Sequence, residues 1–378
     1  MGTIRLRAAV VGTGFMGRTH LEAIRRLGFV DVAAVVGSSC DKARTFADAS
    51  GIDVATDDFT AVVGDPDIHA VHVCTPNALH FAMVSAALDA GKHVLCEKPL
   101  AMTKSEAQAL VSQAVAKTLR NATCYNLRYY PMVQQMRRMR ESGQFGEILI
   151  AQGTYSQDWL LYETDWNWRV DAAQAGSLRV LADIGSHWCD MVEHVTGLRI
   201  TSLCADLATF HETRKRPEGA SAKPRQSTDE PIETEDFGAV MFRIGSRARG
   251  AFTASQVSAG RKNRLSIEIY GTKASAAWDQ ERPDELWLGR RDGPSELLLK
   301  DPSLLMPGAA TYADLPGGHS EGYADTFKQL FRRFYGSILD PSAAPEYPQF
   351  IDGLRQMQLL EAALISHKRR GWVQVDAD

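Results

Sequence analysis

Three short runs in the first hundred residues carry residue types that bind phosphate or move protons. Gly12-Thr13-Gly14-Phe15-Met16-Gly17 fits the pattern G-x-G-x-x-G, with the apolar run Leu6–Val11 before it and an amphipathic run after it. Between a strand and a helix each glycine has a reason. Gly12 permits the tight turn, Gly14 lets the backbone approach a pyrophosphate, and Gly17 lets helix and strand pack closely. The helix opened by Phe15 and Met16 presents free N–H groups and a positive dipole end to an anion. That chemistry is dinucleotide binding.

The next strand ends Val36-Gly37-Ser38-Ser39, with Lys42 and Arg44 just beyond. The carboxylate that usually holds the adenosine ribose of NAD is missing here unless Asp41 reaches back. Ser38, Ser39 and Lys42 are the kind of groups that accept the extra phosphate of NADP, so the reading leans to NADP. Lys42 and Arg44 fit a solvated helix face equally well. Cys74-Thr75-Pro76-Asn77 follows the apolar run Ala70–Cys74, with His80 on the next helix, and Glu97-Lys98-Pro99 follows His93–Cys96. Both motifs fall at carboxyl ends of parallel strands, where ligands bind in such sheets. A lysine there approaches the nicotinamide end of a dinucleotide.

The elements that must position these groups alternate. Leu6–Val11, Asp31–Val36, Ala70–Cys74, His93–Cys96 and Ala122–Cys124 read as strands buried on both faces. Phe15–Leu27, Asp41–Ser50, Ala78–Ala90 and Lys104–Lys117 read as helices. That alternation predicts a parallel, doubly wound α/β Rossmann domain over 1–125. The rest, 126–378, predicts an α+β domain with a large open, mainly antiparallel sheet. Its strands are Asp236–Ile244, Arg249–Gln256, Leu265–Tyr270, Leu286–Gly289 and Glu296–Leu299. Helices over Leu181–Thr196, Tyr323–Leu339 and Phe350–His367 flank them. From His211 to Glu235 the chain is charged and poor in large apolar residues, which predicts a surface excursion between two strands.

Bulk properties narrow the function classes. A length of 378 residues favours two domains, and 44% hydrophobic with 23% charged residues is ordinary for a globular protein. A formal net charge of −4 without a dense Lys/Arg block argues against nucleic acid as a partner. The six cysteines are scattered without C-x-x-C pairs, so free thiols and no metal are expected. No apolar run approaches the ~20 residues that span a bilayer, so no membrane role is expected and the cytoplasm is the expected location. Arg5 and Arg7 precede Ala8–Val11 as in a leader peptide, but the run is short and ends in glycines, so it reads as a strand.

With Asp183-Ile184-Gly185-Ser186-His187 added to Gly12–Gly17, Thr75-Pro76-Asn77 and Glu97-Lys98-Pro99, nearly the whole chain resembles the Gfo/Idh/MocA oxidoreductases. That family includes glucose–fructose oxidoreductase and inositol dehydrogenases. The resemblance implies the same two-domain fold, a homo-oligomer (dimer or tetramer) formed through the C-terminal sheet, and a cis bond before Pro99. It also implies three catalytic groups: Lys98, Asp183 and His187. Oxidising a secondary alcohol needs a base for the hydroxyl proton and a cofactor for the hydride. An imidazole such as His187 titrates near neutrality. Lys98 can stabilise an alkoxide or share the proton. Asp183, four residues before His187, would orient the ring on one helix face. Which of Lys98 and His187 is the base stays open.

The substrate reading rests on Tyr155-Ser156-Gln157-Asp158-Trp159 and Asp165-Trp166-Asn167-Trp168-Arg169. Aromatic faces suit the C–H face of a sugar, and amide, carboxylate and guanidinium groups suit its hydroxyls. Gln157, Trp159, Trp168 and Arg169, with Tyr129 and His319, join Lys98, Asp183 and His187 as expected substrate contacts. Tyr125, Asn126 and Arg128 are further candidates. The expected activity is an NAD(P)-dependent dehydrogenase or reductase acting on a sugar, sugar derivative or polyol. Two alternatives are an NAD-dependent glycosidase of the same fold and a non-enzymatic dinucleotide sensor.

Overall fold

Runs of small and β-branched residues build the first sheet. In the computed structural model, which describes residues 5–217 and 227–376, Ala8, Ala9 and Val10 of strand β1 (Leu6–Val11) are wholly buried. So are Val71 and Val73 of β4 (Ala70–Val73). Strands so enclosed belong to the middle of a parallel sheet. β2 (Val30–Val36), β3 (Val54–Thr56), β5 (His93–Cys96) and β6 (Asn121–Thr123) complete it, all parallel, in the order β3-β2-β1-β4-β5-β6. That is the doubly wound order whose crevice lies at the ends of β1 and β4. β3 escaped the sequence reading because it is three residues of edge strand with Val54 half exposed.

The chain forms two compact units: Met1–Tyr129 with Tyr323–Met357, and Tyr130–Gly322 with Gln358–Asp378. The single cut expected from sequence put 323–357 in the second part. Instead the helix Tyr323–Leu339 lays Phe327, Phe331 and Tyr335 into the first unit, beside His20 and His72.

The second unit is built on nine strands. β7 (Ile148–Ser156), β8 (Ile200–Ala208), β11 (Phe237–Ile244), β12 (Ala248–Ser255), β13 (Arg264–Gly271), β14 (Ser275–Asp279), β15 (Glu285–Gly289), β16 (Glu296–Leu299) and β17 (Val373–Gln374) follow the order β16-β15-β14-β13-β7-β12-β11-β8-β17. Only β7 and β12 pair parallel, so the sheet is mixed but mainly antiparallel. One face packs on the helix Ser186–Thr196, where Trp188 stacks on Phe252 at 4.5 Å. The register sets Met241, Ala251, Gln152, Glu268, Ala277, Trp287 and Leu297 in one row across the other face.

The charged stretch His211–Glu235 is only partly a surface excursion. Its described parts pair as a separate ribbon of β9 (Thr213–Pro217) and β10 (Ser227–Pro231); residues 218–226 of the stretch lie outside the described residues. Arg214 of β9 is completely buried, which charge patterning could not reveal.

Candidate functional site

The glycine loop is shaped as its residue types require. Gly12 has φ +111°, and a Cβ there would stand 2.6 Å from the Cys74 carbonyl oxygen. A Cβ on Gly17 would stand 1.9 Å from the Gly12 carbonyl oxygen. Gly14 is different: nothing of the protein lies within 4 Å of where its Cβ would be, so the space above it is open. Gly14 caps the helix Phe15–Arg25, no side chain bonds to that helix end, and its first turn holds no acidic residue. Unclaimed N–H groups facing open space are what a pyrophosphate needs. Phe15 projects into solvent, and Met16 Sδ meets the Tyr323 hydroxyl at 4.0 Å.

At the end of β2, Ser39 caps the helix Cys40–Ser50, and Lys42 Nζ donates to Ser38 Oγ at 3.2 Å. The expected cation and hydroxyls are therefore side by side. Thr75 Oγ1 is buried and has no hydrogen-bond partner among the described residues. Open glycine cradle and unpaired Thr75 together fit a bound dinucleotide.

Two expected cofactor contacts prove to be internal. His80 is fully buried, with Nδ1 2.7 Å from the Pro99 carbonyl and Nε2 2.9 Å from the Thr75 carbonyl. Burial lowers its pKa, and the two carbonyls oppose that. With both ring nitrogens committed, His80 ties the Thr75-Pro76-Asn77 turn to the Lys98–Pro99 turn, whose peptide is cis as the resemblance implied. Glu97 also faces inward. Its Oε1 lies 3.0 Å from His20 Nε2, and its Oε2 accepts the Lys98 backbone N–H at 3.2 Å. Burial pushes this carboxyl up, but the His20 bond, with the charges of His20 and Lys98, holds it down to about 2. Both histidine and carboxylate sit where the cofactor was expected; buried polar groups must find partners, and theirs are protein. His20, Glu97 and Cys124 bring one ligand atom each within 4.8 Å of one another, a spacing that hydrogen bonding already accounts for.

In the second unit Asp183 lies in a π-helical turn, Leu181–Gly185, that runs straight into the helix Ser186–Thr196 carrying His187. Such turns are rare and cluster at functional sites. The Asp183 carboxylate accepts from Arg169 Nε at 3.1 Å and from Gln256 Nε2 at 2.8 Å. Arg169 in turn lies over the Trp168 ring, 4.5 Å from its centroid. Gln256 Oε1 is buried with no hydrogen-bond partner among the described residues.

A second group adjoins it. The Tyr155 hydroxyl and Gln157 Nε2 both donate to Asn263 Oδ1 at 2.8 Å, and Trp159 Nε1 donates to Gln157 Oε1 at 2.7 Å. The Tyr155 ring lies 6.4 Å from that of His187. Burial first, then the Asp183 charge, pushes the Tyr155 hydroxyl up, so it stays a donor. Gln256 and Asn263 escaped the sequence reading because they come from the end of β12 and the start of β13, far along the chain, and amides in strands carry no motif.

What fixes the π turn is a buried set of charges. Glu235 accepts the backbone N–H groups of Arg179 and Leu181 at 2.9 Å each. Arg179 and Arg214, both completely buried on their side chains, share Asp236. Burial raises the Asp236 carboxyl, but Arg179 overcomes it, leaving it below its ordinary value.

Several other expected contacts hydrogen-bond within the protein. Tyr129 is buried and its hydroxyl donates to the Glu346 carbonyl at 3.2 Å; Asn126 donates to Thr326 at 2.7 Å, and Arg128 pairs with Asp352 at 2.9 Å. Tyr125 is wholly buried. His319 is exposed in a loop held by Lys300, whose Nζ bonds the His319 carbonyl at 2.6 Å and Glu321 at 2.9 Å. Trp188 is core; Trp159 and Trp166 are half-buried against Leu160, Val170 and Ile232.

A glycine cradle on this strand order is the mark of dinucleotide-dependent oxidoreductases. The comparisons refine that class. Residues 6–123 match the family GFO_IDH_MocA, described as an oxidoreductase family with an NAD-binding Rossmann fold, and residues 133–277 match the GFO/IDH/MocA C-terminal domain. The chain belongs to this family and is an NAD-binding oxidoreductase. It is 29% identical to levoglucosan dehydrogenase of Pseudarthrobacter phenanthrenivorans, over 98% of each chain. It is 28% identical to 1,5-anhydro-D-fructose reductase of Ensifer adhaerens, over 83% of this chain and 89% of that one. Among solved structures, levoglucosan dehydrogenase in complex with NADH and levoglucosan superposes with a TM-score of 0.90 at 28% identity, covering 99% of this chain and 100% of that one. Among the described residues no helix is long and apolar enough to cross a membrane.

Proposed function

We propose that the chain transfers hydride between NAD(P) and a secondary alcohol or ketone of a sugar or polyol, an anhydrosugar first among them. The observation that carries this is Asp183, clamped by Arg169 and Gln256 four residues before His187. A fixed carboxylate beside an imidazole, with the open acceptor of Gln256 and the Trp168 face, suits a polyhydroxylated ring with one reacting hydroxyl. The relatives acting on levoglucosan and anhydrofructose support the same class.

In this reading His187 and Lys98 handle the hydroxyl proton, and Asp183 holds the sugar and the imidazole in register. Gln157 and Trp159 contribute hydroxyl and ring contacts. A bound nicotinamide supplies only the hydride acceptor or donor. Gly12, Gly14, Phe15, Met16 and Gly17 seat the pyrophosphate, with Thr75, Pro76 and Asn77 bordering the nicotinamide side. Ser38, Ser39 and Lys42 leave room for the phosphate of NADP, while the NADH complexes of relatives favour NAD. Both cofactors are therefore accepted. The row of Met241, Trp287 and Leu297 on the open sheet face, each at least 40% exposed, is the surface for a homo-oligomer.

The test is absorbance at the NAD(P)H band with a panel of anhydrosugars, sugars, inositols and sugar acids and both cofactors. Turnover with levoglucosan or another cyclic polyol supports the proposal. Turnover without added cofactor, cleaving a glycoside, would replace it with the glycosidase reading.

A further inference from the structure

Asp236, the residue before β11, ties two segments of the second unit together through two buried arginines. Its Oδ1 accepts from Arg179 and, at 2.8 Å, from Arg214. Its Oδ2 accepts the backbone N–H groups of Phe210 and His211 at 2.7 and 3.1 Å. Arg179 leads to the π turn, where Glu235 holds the N–H of Leu181 two residues before Asp183. Arg214 leads elsewhere. Its terminal nitrogens also donate to three carbonyls of one loop: Leu160 at 2.9 Å, Tyr162 at 2.8 Å and Asp165 at 3.2 Å. Every terminal N–H of this guanidinium is thus committed.

That loop runs directly into Trp166-Asn167-Trp168-Arg169, and Arg169 is the residue that clamps Asp183. The two partners of the clamp therefore arrive on different segments, and both segments are referred to one carboxylate. Neighbours of Arg214 repeat the hold. His211 Nε2 donates to the Leu161 carbonyl at 2.8 Å, and the Lys215 N–H donates to the Glu163 carbonyl at 2.9 Å.

The large sheet alone does not need this construction. β8 and β11 are antiparallel neighbours with Ala208 opposite Phe237, and a turn of about 2–5 residues would join them. The chain instead inserts residues 209–236, in which β9 and β10 form a two-stranded sheet of their own. Burying the Arg214 side chain completely is costly, and its carbonyl and carboxylate partners offset that cost with the loop in this one position.

We infer that Arg214 is a positioning residue that fixes the loop 160–165 against the π turn, so that Arg169 meets Asp183 in register. It acts through Arg169. Its effect on turnover rests on the proposed role of Asp183, but its hold on the loop does not.

The experiment compares the full chain with Arg214→Lys by hydrogen–deuterium exchange and by steady-state kinetics with levoglucosan and NAD. Lysine keeps a charge for Asp236, but a compact ammonium with three donors cannot span the carboxylate and three carbonyls. The hydrogen-bonded amides of Leu160, Leu161, Tyr162 and Asp165 are expected to exchange about tenfold faster, while those of β1 keep their rate. The expected kcat falls about tenfold with Kd for NADH unchanged. Combined with Arg169→Lys, the loss stays near tenfold instead of the roughly hundredfold of independent sites, because both variants release the same clamp. Should Arg214→Lys not fold, His211→Phe removes one loop bond outside the buried charges. It is expected to move exchange and kcat the same way, by about threefold. Unchanged loop exchange, an unchanged kcat or an additive double variant overturns the inference. If the parent turns over no sugar, the proposed function fails, and the exchange rates alone decide whether Arg214 anchors the loop.

Discussion

Arg169 donates its Nε–H to Oδ1 of Asp183 across 3.1 Å, and Gln256 holds the other oxygen. The carboxylate is therefore aimed from two sides by groups from outside its own helix. Arg169→Lys keeps the cation but not the planar donor. We predict a fall in kcat of about tenfold (~1.4 kcal/mol), with NADH affinity unchanged. Steady-state kinetics beside an NADH fluorescence titration measures both; equal losses in both would remove the clamp from the mechanism.

The open space above Gly14 separates binding from folding. Gly14→Ala adds a methyl that meets no protein atom, so Tm should hold while dinucleotide affinity drops about tenfold (~1.4 kcal/mol). Gly17→Ala, whose methyl would press on the Gly12 carbonyl, should lower Tm as well. Thermal melts with and without NADH check the pair.

Lys42 tests cofactor choice. If the proposed role holds, Lys42→Ala should weaken NADP more than NAD, by severalfold, since its ammonium lies 3.2 Å from Ser38 Oγ just past the end of β2. Equal effects on both Kd values would assign the lysine to the helix surface.

Much of this was legible in sequence where local chemistry and local structure coincide. The glycine loop, the parallel strands and the motif turns at Thr75 and Lys98 are local, and each fits one conformation. What escaped depends on contacts far apart along the chain. Nothing in the sequence of His80 says that both its nitrogens meet carbonyls, nor of Tyr129 that its hydroxyl is pinned by Glu346. Arg214 read as one charge in a solvated run, yet it is buried against Asp236 because a strand ribbon returns it to the π turn.

That buried set should be costly to break. Asp236→Asn leaves Arg179 and Arg214 buried without their shared anion, a loss of about 3–5 kcal/mol. Tm should fall by roughly 10 °C, and a shift within a degree of the parent would show the charges to be dispensable.

Stability should also depend on mild acid. Burial, with Arg120 and His69, lowers His93 from 6.5 to about 4. A base whose folded pKa is depressed favours the fold fully above its unfolded value. That contribution is lost as pH falls from about 6.5 toward 4, on the order of 2 kcal/mol given partial exposure. Urea melts at pH 7.5 and 5 should show the loss, and His93→Gln should flatten it.

The central claim is that this chain moves hydride with Lys98 at the reacting carbon. Its most direct test is single-turnover reduction of NAD by levoglucosan with Lys98→Met, alongside NADH binding. The account predicts hydride transfer slowed at least about a thousandfold (~4 kcal/mol) with Kd for NADH within about twofold of the parent. Transfer at the parent rate, or loss of binding alone, would contradict it.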